Sequence, residues 1–335
     1  MELNRATLAD FVKLADVLFV KGYMSVPQSM RASGLVKETP ISANSGNTRE
    51  FSEIDLDEYA RRKDESDQAE RAQVQQGYSK TMTKYRVARD IGISYEMRTE
   101  NKYPEVVSKL TGLGKQAINR MDLDLSMRIS YAASSSYTDM EGNTITTTTG
   151  DGYALGYSAH KVRGSSETFR TILANNPKVS KGALEAIERL QTEECFNQFG
   201  ENVTIPFDVL WSTNDPNTVN TISEYLKSGS NVEGANSGVT NVYAGKYRHV
   251  VLPRIAFDAN GAFDSDKRYY WGTASSAYST FYLGIWEEPR MKTPASMNNG
   301  EDFSTDDWNF GVRGGYGMVI VNAGWFRMSK GDGSA

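Results

Sequence analysis

Few residues of this chain are of the types that do nucleophilic or metal chemistry. The sequence contains one cysteine, Cys195, and two histidines, His160 and His249. A zinc site needs clustered cysteine and histidine ligands, and a cysteine nucleophile needs a positioned base, so three scattered residues predict neither. Cys195 follows Glu193 and Glu194 in a predicted helical stretch, where negative charge would raise the pKa of the thiol. We therefore predict packing roles for all three, and a hydrolase using Cys195 with either histidine is the weakest alternative.

Two further segments resemble ligand-binding loops in composition but do not match the sequence patterns of a calcium loop or a phosphate-binding loop. The acidic segment from Asp258 to Asp266 has glycine at its fourth position, and its twelfth position is Tyr269. A calcium loop of the EF-hand type needs glycine at the sixth position and glutamate at the twelfth, so we predict a surface turn. The glycine-rich segment from Gly311 to Gly317 has neither phosphate-binding spacing nor a following helix. The sequence predicts no cofactor, no metal ion and no catalytic residue.

Composition and charge narrow the classes of protein further. The 335 residues are 39% hydrophobic and 24% charged, with 29 glycines and 18 tyrosines, which favours a folded, β-rich protein. The net charge of −5 does not favour attraction to nucleic acid or to a membrane surface. The sequence shows no apolar run long enough for a membrane span and no signal-peptide pattern, and a single cysteine fits a reducing compartment. We expect synthesis in a cytoplasm.

A long helix is the element around which the other parts must be arranged. Apolar residues recur at helical spacing from Tyr103 to about Ala133, with Pro104 suited to the first turn. About 30 residues at 1.5 Å each make a rod of roughly 45 Å. Gly112 and Gly114 each cost about 1 kcal/mol relative to alanine, so a bend is expected there. An amphipathic segment within residues 1–25 is expected to dock either on a groove of the same chain or on a neighbouring subunit.

Before this helix the sequence predicts a long β-hairpin with a polar tip. One arm alternates around Ile54 and Leu56, and the other alternates from Tyr78 to Met97. A two-stranded ribbon is only marginally stable alone in water, so we expect this hairpin to rest on a partner. The tip is either solvated surface or an intersubunit contact, and its candidate contact residues are Arg61, Arg62, Lys63, Asp64, Glu65, Asp67, Glu70 and Arg71.

After the helix the order of elements predicts a compact α+β region. Ser180 is the predicted cap of one helix, and Asp215 is the predicted cap of another. Strand candidates include Ile205 to Trp211, and a last strand is predicted from Gly315 to Met328.

The order of these parts resembles the major capsid proteins of tailed bacteriophages with the Hong Kong 97-type fold. Four segments carry the resemblance: Ile91 to Met97 at the end of the hairpin region, Tyr157 to Ser165 after the long helix, Pro206 to Lys227 at the start of the compact region, and Trp308 to Met318 near the end of the chain. The resemblance implies an α+β fold with five parts. These are an N-terminal arm (1–31), an extended hairpin called the E-loop (32–84), a P domain (85–164) with its spine helix (103–133), an A domain (165–307), and a closing strand with a C-terminal tail (308–335).

The resemblance also implies a function, which is written here as an expectation. A capsid protein of this type is not an enzyme, and it self-assembles as pentamers and hexamers into an icosahedral head shell in the host cytoplasm. The shell encloses double-stranded DNA without sequence-specific binding, with a separate scaffolding protein and a portal as partners and with room for a decoration protein. Two alternatives stay open: an encapsulin-like cargo shell, and a carbohydrate-binding β-rich surface protein that uses aromatic side chains as stacking platforms.

Overall fold

The computed structural model describes residues 8–100, 102–230, 238–293 and 307–334. Residues 1–7 of the predicted arm and residues 294–306 of the predicted A domain lie outside this description. Across the described ranges the helices are α1 (Leu8–Met24), α2 (Ser29–Ala32), α3 (Tyr95–Thr99), α4 (Tyr103–Ser130), α5 (Lys181–Glu193) and α6 (Pro216–Lys227). The strands are β1 (Val36–Pro40), β2 (Thr48–Leu56), β3 (Val74–Thr83), β4 (Tyr85–Ile93), β5 (Ser136–Thr138), β6 (Thr144–Thr146), β7 (His160–Lys161), β8 (Thr168–Phe169), β9 (Val209–Ser212), β10 (Arg248–Val251), β11 (Trp271–Ala274), β12 (Phe281–Lys292), β13 (Trp308–Ile320) and β14 (Phe326–Ser329).

The long helix forms as the sequence predicts, although it ends three residues before the expected Ala133. α4 is assigned as one helix through both glycines, and Pro104 lies in its first turn. Its predicted apolar face is buried throughout, at Val106, Leu110, Leu113, Ala117, Met121, Leu125 and Ile129. None of the described helices, this one included, has the length and apolar character needed to cross a membrane.

The first helix docks on the same chain, which answers the alternative left open by the sequence. α1 packs against α4 at a point where the two backbones approach closely. A Cβ on Gly22 would overlap the carbonyl oxygen of Thr111, and a Cβ on Gly114 would overlap that of Phe19. Glycine at both positions therefore permits a contact that any side chain would block.

The larger sheet joins segments that lie far apart in the sequence. Its strand order is β1-β12-β13-β4, with β1 parallel to β12 and the remaining pairs antiparallel. The glycine-rich segment from Gly311 to Gly317 lies in β13, an inner strand of this sheet. A Cβ on Gly317 would come within 2.5 Å of the Thr83 carbonyl oxygen. These glycines therefore serve close packing of strands, in agreement with the absence of a phosphate-binding pattern.

A second sheet and two helices build the other described body of the chain. The strand order is β10-β9-β11-β14, with β10 parallel to β9. Both predicted caps are confirmed, because Ser180 Oγ accepts the Ala183 N–H at 3.2 Å and Asp215 Oδ2 accepts the Thr218 N–H at 3.0 Å. The strand predicted from Ile205 begins later, since β9 starts at Val209.

The last predicted strand is wrong as a single element. β13 ends at Ile320, the chain turns, and β14 begins at Phe326 in the other sheet. Asn322 Oδ1 accepts the N–H of Gly324 at 2.6 Å and so stabilises the turn. The end of the chain therefore connects the two sheets.

The second arm of the predicted hairpin also differs from the expected strand. It divides into β3, which pairs with β2, and β4, which belongs to the larger sheet. The strand ends at Ile93 because Ser94 caps α3, and Ser94 Oγ accepts the Met97 N–H at 3.3 Å. Tyr95 and Met97 therefore lie in a helix.

Candidate functional site

The predicted contact residues lie in the loop that joins β2 to β3, residues 57–73. All eight residues from Arg61 to Arg71 that the sequence analysis singled out are exposed. Arg61 Nε lies 4.0 Å from Glu70 Oε2, and both side chains are more than half exposed. An ion pair this long and this exposed contributes little to stability. We call residues 61–71 the charged tip, and its charges are therefore available to a partner.

Beside the charged tip the hairpin exposes apolar side chains that the sequence analysis did not assign to a surface. Ile54 is 66% exposed, Leu56 is 58% exposed and Val74 is 65% exposed. Leu56 pairs with Val74 across the hairpin, and Ile54 is two residues back on the same strand, so the three share one face. We call this set the outer strip. The alternation around Ile54 and Leu56 was the available signal, but it does not tell which face of a strand is covered.

The opposite face of the hairpin contacts its own chain, which differs from the expectation of a hairpin supported only by a partner. Gln198 donates its backbone N–H to Asp55 Oδ2 at 3.2 Å and its Nε2 to Glu53 Oε2 at 3.3 Å. The Arg163 guanidinium donates to the carbonyl oxygen of Gly77. These hydrogen bonds between the inner face and the body of the chain hold the loop end of the two strands in place.

The chain just before the charged tip is anchored by one further contact. The Glu58 N–H donates to Glu201 Oε2 at 2.9 Å. This hydrogen bond, together with one from the Asn197 side chain, lowers the pKa of Glu201. Residues 61–71 extend beyond this anchor.

His160 has a partner that the sequence analysis did not find. Its Nδ1 lies 2.8 Å from Asp151 Oδ2, and its Nε2 lies 3.2 Å from Thr171 Oγ1. The order carboxylate, imidazole, hydroxyl is that of a catalytic triad. However, Thr171 is fully buried and its hydroxyl donates to the Leu155 carbonyl, so no substrate reaches it. The cluster therefore holds neighbouring segments together.

Electrostatics support a structural role for this cluster. Burial raises the pKa of Asp151, but hydrogen bonds from His160 and Thr149 outweigh that effect and bring the value to about 2. The carboxylate is thus strongly favoured in its ionised form, bound to donors on both oxygens. The only signal in the sequence was a nine-residue separation within a loop, which does not predict contact.

The hydrogen-bond partners of His249 and Cys195 in the described part of the chain lie outside that cluster. His249 Nε2 is 2.9 Å from Ser212 Oγ, and Ser212 is buried with its hydroxyl donating to the Thr213 carbonyl oxygen at 3.0 Å. Burial lowers the pKa of His249. Among the described residues neither histidine hydrogen-bonds to Cys195, so the hydrolase alternative has no assembled nucleophile and base.

Cys195 is buried immediately after α5 instead of within a helix. Its pKa is raised, as expected, but the physical cause is burial, whereas the neighbouring Arg327 acts in the opposite direction. The predicted influence of Glu193 and Glu194 is therefore not what determines its reactivity. A buried thiol with a raised pKa is a packing group.

The acidic segment after Asp258 folds as the predicted surface turn. Asp258 Oδ1 accepts the N–H groups of Asn260 at 2.9 Å and Ala262 at 2.8 Å, which closes a small turn. Phe257 pairs with Phe263 across it. In the parts of the chain that the structure describes, no group of three or more acidic, histidine or cysteine side chains is arranged to hold a metal ion.

A groove of about 980 Å³ lies between α4, β4 and β6. Arg120 in this groove is paired with carboxylates of the same groove. Arg120 Nε donates to Asp124 Oδ1 at 3.0 Å, and Arg120 Nη2 donates to Glu141 Oε2 at 2.7 Å. The Tyr316 hydroxyl donates to Asp124 Oδ2 at 2.5 Å. This network fixes the β5–β6 hairpin to the long helix.

Comparison with known proteins identifies a matching family model and several similar solved structures. A family model described as phage capsid protein matches residues 77–327, which is well over half of the sequence. No curated protein sequence matches. Similar solved structures include a virus-like particle from Pyrococcus furiosus, with 11% identity over 95% of this chain and 98% of that chain and a TM-score of 0.49. Gordonia phage Cozz shows 13% identity over 90% of this chain and 85% of that chain, with a TM-score of 0.49. The capsid of Myoviridae phage XM1 shows 11% identity over 90% of this chain and 91% of that chain, with a TM-score of 0.47.

All three TM-scores lie below 0.5, so the assignment rests on the family match. That match confirms the resemblance drawn from the order of the hairpin, the long helix and the closing segment. With its α+β fold and a family match over most of its length, this chain belongs to the phage capsid protein family.

Proposed function

We propose that this shell-forming major capsid protein joins into pentamers and hexamers that close an icosahedral shell around double-stranded DNA. Membership of the capsid family supports the shell itself. The ring sizes, the enclosed DNA and assembly in the host cytoplasm belong to the proposal. So do the partners, which are a separate scaffolding protein, a portal and a decoration protein.

The outer strip beside the charged tip is the observation that carries the proposed contact between subunits. Apolar side chains exposed together on one face of a hairpin are typical of a protein–protein contact. Ile54, Leu56 and Val74 lie on such a face, and the charged tip adjoins it. The hairpin therefore offers an apolar contact and a charge pattern in the same place.

The two parts of this surface have different tasks. Burial of apolar area on a neighbouring copy supplies stabilisation of about 25 cal/mol per Å². The charged tip supplies orientation, because opposite charges select one register and like charges oppose the others. Arg61, Arg62 and Lys63 precede Asp64, Glu65 and Asp67, so the sign of charge reverses along the tip. Each contact is repeated at every copy in the shell.

The acidic balance of the chain is consistent with this role. A net charge of −5 does not provide tight attraction to DNA. A shell wall needs to confine DNA and does not need to bind its sequence. The encapsulin-like alternative shares a shell but encloses protein cargo, so analysis of the contents of purified shells for nucleic acid distinguishes the two.

We further propose that the protein has no enzymatic activity. The arrangement of Asp151, His160 and Thr171 is buried, and the hydroxyl is already committed to a carbonyl. The family match gives no support to the carbohydrate-binding alternative.

Charge reversal at the tip tests the proposed contact. In the variant Arg61→Glu, Arg62→Glu and Lys63→Glu we expect subunits that melt cooperatively but do not form shells. Exposed substitutions usually change stability by less than about 0.5 kcal/mol each, whereas like charges facing each other at an interface cost several kcal/mol. Sedimentation velocity and negative-stain microscopy of variant and wild type measure the outcome.

A compensating variant is the matched control for charge content. Reversing Asp64, Glu65 and Asp67 to lysine in the same chain should partly restore shells if those acids face the cations of a neighbour. Normal shells from the first variant would remove the charged tip from the contact. Failure of the wild-type protein to form shells, alone or with its scaffolding partner, would contradict the proposed function.

A further inference from the structure

The hairpin contains a carboxyl group in unusual surroundings near the loop end of its strands. Glu53 lies on β2, on the inner face that packs against the body of the chain. It meets two side-chain amides from separate elements: Gln198, which follows α5, and Asn322, in the turn between β13 and β14. The hairpin and both of these segments therefore meet at one side chain.

The side-chain amide of Gln198 has a hydrogen-bond partner for its NH2 group but none for its oxygen in the described part of the chain. Its Nε2 donates to Glu53 Oε2 at 3.3 Å, while its Oε1 is buried and accepts no hydrogen bond in the described part of the chain. A carboxylate accepts hydrogen bonds but cannot donate them, whereas a carboxylic acid does both. A protonated Glu53 is thus able to accept from Nε2 and to donate to Oε1 of the same amide.

The packing around this acceptor is close, and about one water molecule is the most solvent that fits beside it. A Cβ on Gly77 would lie 2.8 Å from Gln198 Nε2 and 2.9 Å from the Glu53 Cβ. The adjoining polar pocket measures about 20 Å³, room for about one water molecule. A buried acceptor without a donor destabilises the arrangement that buries it.

Charged and titratable groups face Glu53 from several elements. Asp55 lies on the same strand, Tyr282 faces it from β12, and the adjoining pocket is also lined by Tyr78, Asp151, His160 and Lys161. Lys161 is exposed, and His160 is bound to Asp151. Burial raises the pKa of Glu53 to about 7, with a smaller contribution from Asp55 and an opposing one from Asn322.

We propose that Glu53 is a proton-dependent latch: when protonated it fastens the hairpin to Gln198, and when ionised it loosens that attachment. The folded-state pKa lies above the ordinary value of 4.5, so closure is strongest below about pH 4.5 and weakens as pH rises from there to about 7. The latch is a property of the single chain and does not depend on the proposed function.

Hydrogen–deuterium exchange of the unassembled full-length protein tests the latch. Protection of β2 and β3 is measured at pH 6 and pH 8 and corrected for the intrinsic pH dependence of amide exchange. With a closed-state pKa near 7, protection should be about tenfold greater at pH 6. Protection of α4 serves as the internal measure of folding.

Two variants separate Glu53 from its neighbours. Glu53→Gln keeps a donor and an acceptor facing Gln198 at every pH, so its hairpin should be at least as protected at pH 8 as the wild type is at pH 6. Glu50→Gln removes an exposed carboxyl from the same strand and should keep the wild-type pH dependence.

Equal wild-type protection at both pH values would overturn the latch. So would an unchanged pH dependence in Glu53→Gln, which would assign the effect to a different titratable group. If that variant loses protection in α4 and is therefore misfolded, the wild-type pH profile decides. A decline in protection that continues up to about pH 7 supports Glu53, and one that is complete near the ordinary carboxyl value contradicts it.

Discussion

Gly114 of α4 lies directly against the carbonyl oxygen of Phe19 in α1, and a Cβ at residue 114 would overlap that oxygen. The reciprocal contact is made by Gly22 of α1 with the carbonyl oxygen of Thr111 in α4. Two helices therefore cross at paired glycines. This contact explains why a long helix keeps a residue that is about 1 kcal/mol less favourable than alanine in a helix interior.

Gly112 and Gly114 provide a matched pair of variants. Gly114→Ala should destabilise the subunit by about 1–3 kcal/mol, because the new methyl group forces α1 away from α4. Gly112 has nothing within 4 Å of its Cβ position, so Gly112→Ala should be neutral or stabilising by up to about 1 kcal/mol. Urea unfolding of both variants measures the difference. Equal effects at the two positions would show that the helix crossing tolerates a side chain.

The sequence predicted the local features of the fold because their causes are local. Ser180 and Asp215 cap helices through bonds to residues three positions ahead, and the apolar face of α4 follows from spacing alone. From the sequence, Gly112 and Gly114 were both predicted to weaken the helix equally. They differ only because α1 packs against Gly114 and not against Gly112. The division of the last strand into β13 and β14 was missed because each pairs with a different distant strand.

The candidate site also has a part that the sequence predicted and a part that it did not. The charged tip was found from composition, and the structure places it in an exposed loop. The outer strip and the attachment of Glu53 to Gln198 were not found, because they depend on which face of the hairpin meets residues about 145 positions away. The domain boundaries drawn from the resemblance remain a prediction.

The Asp151–His160 pair should make stability depend on acid pH. The pKa of Asp151 is about 2, below its ordinary value of 3.8, so its ionised form contributes stability above about pH 4 that is lost as pH falls towards 2. Asp151→Asn should lower the free energy of unfolding near pH 6 by an amount on the order of 2 kcal/mol. The gap from wild type should shrink at pH 3. Asp67→Asn, in the exposed tip, is the control, and a gap that stays constant with pH would contradict this linkage.

Cys195 should be unreactive in the folded subunit. It is buried and its pKa is raised by burial, so little thiolate is present and a reagent has no access. We expect alkylation by iodoacetamide at pH 8 to be slow in buffer and fast in urea, with Cys195→Ala as the blank. Comparable rates in both conditions would show that the thiol is open to solvent and would revive a chemical role.

The outer strip should matter for assembly and not for the subunit. Leu56→Ser and Val74→Ser alter side chains that are mostly exposed, so together they should change the free energy of unfolding by less than about 1 kcal/mol. In a shell, burial of such side chains contributes about 1.5–3 kcal/mol each. Because each 1.4 kcal/mol is about a factor of ten in an equilibrium constant, the double variant should need at least about tenfold more protein to assemble.

Light scattering across a concentration series measures that threshold. Met140→Ser is the control, because Met140 is also an exposed apolar residue but lies in the turn between β5 and β6, away from the hairpin. Apolar contacts do not weaken with salt, whereas exposed ion pairs do. At raised salt the double variant should therefore remain impaired relative to wild type. An unchanged threshold for Leu56→Ser with Val74→Ser would leave the charged tip as the sole candidate contact on the hairpin.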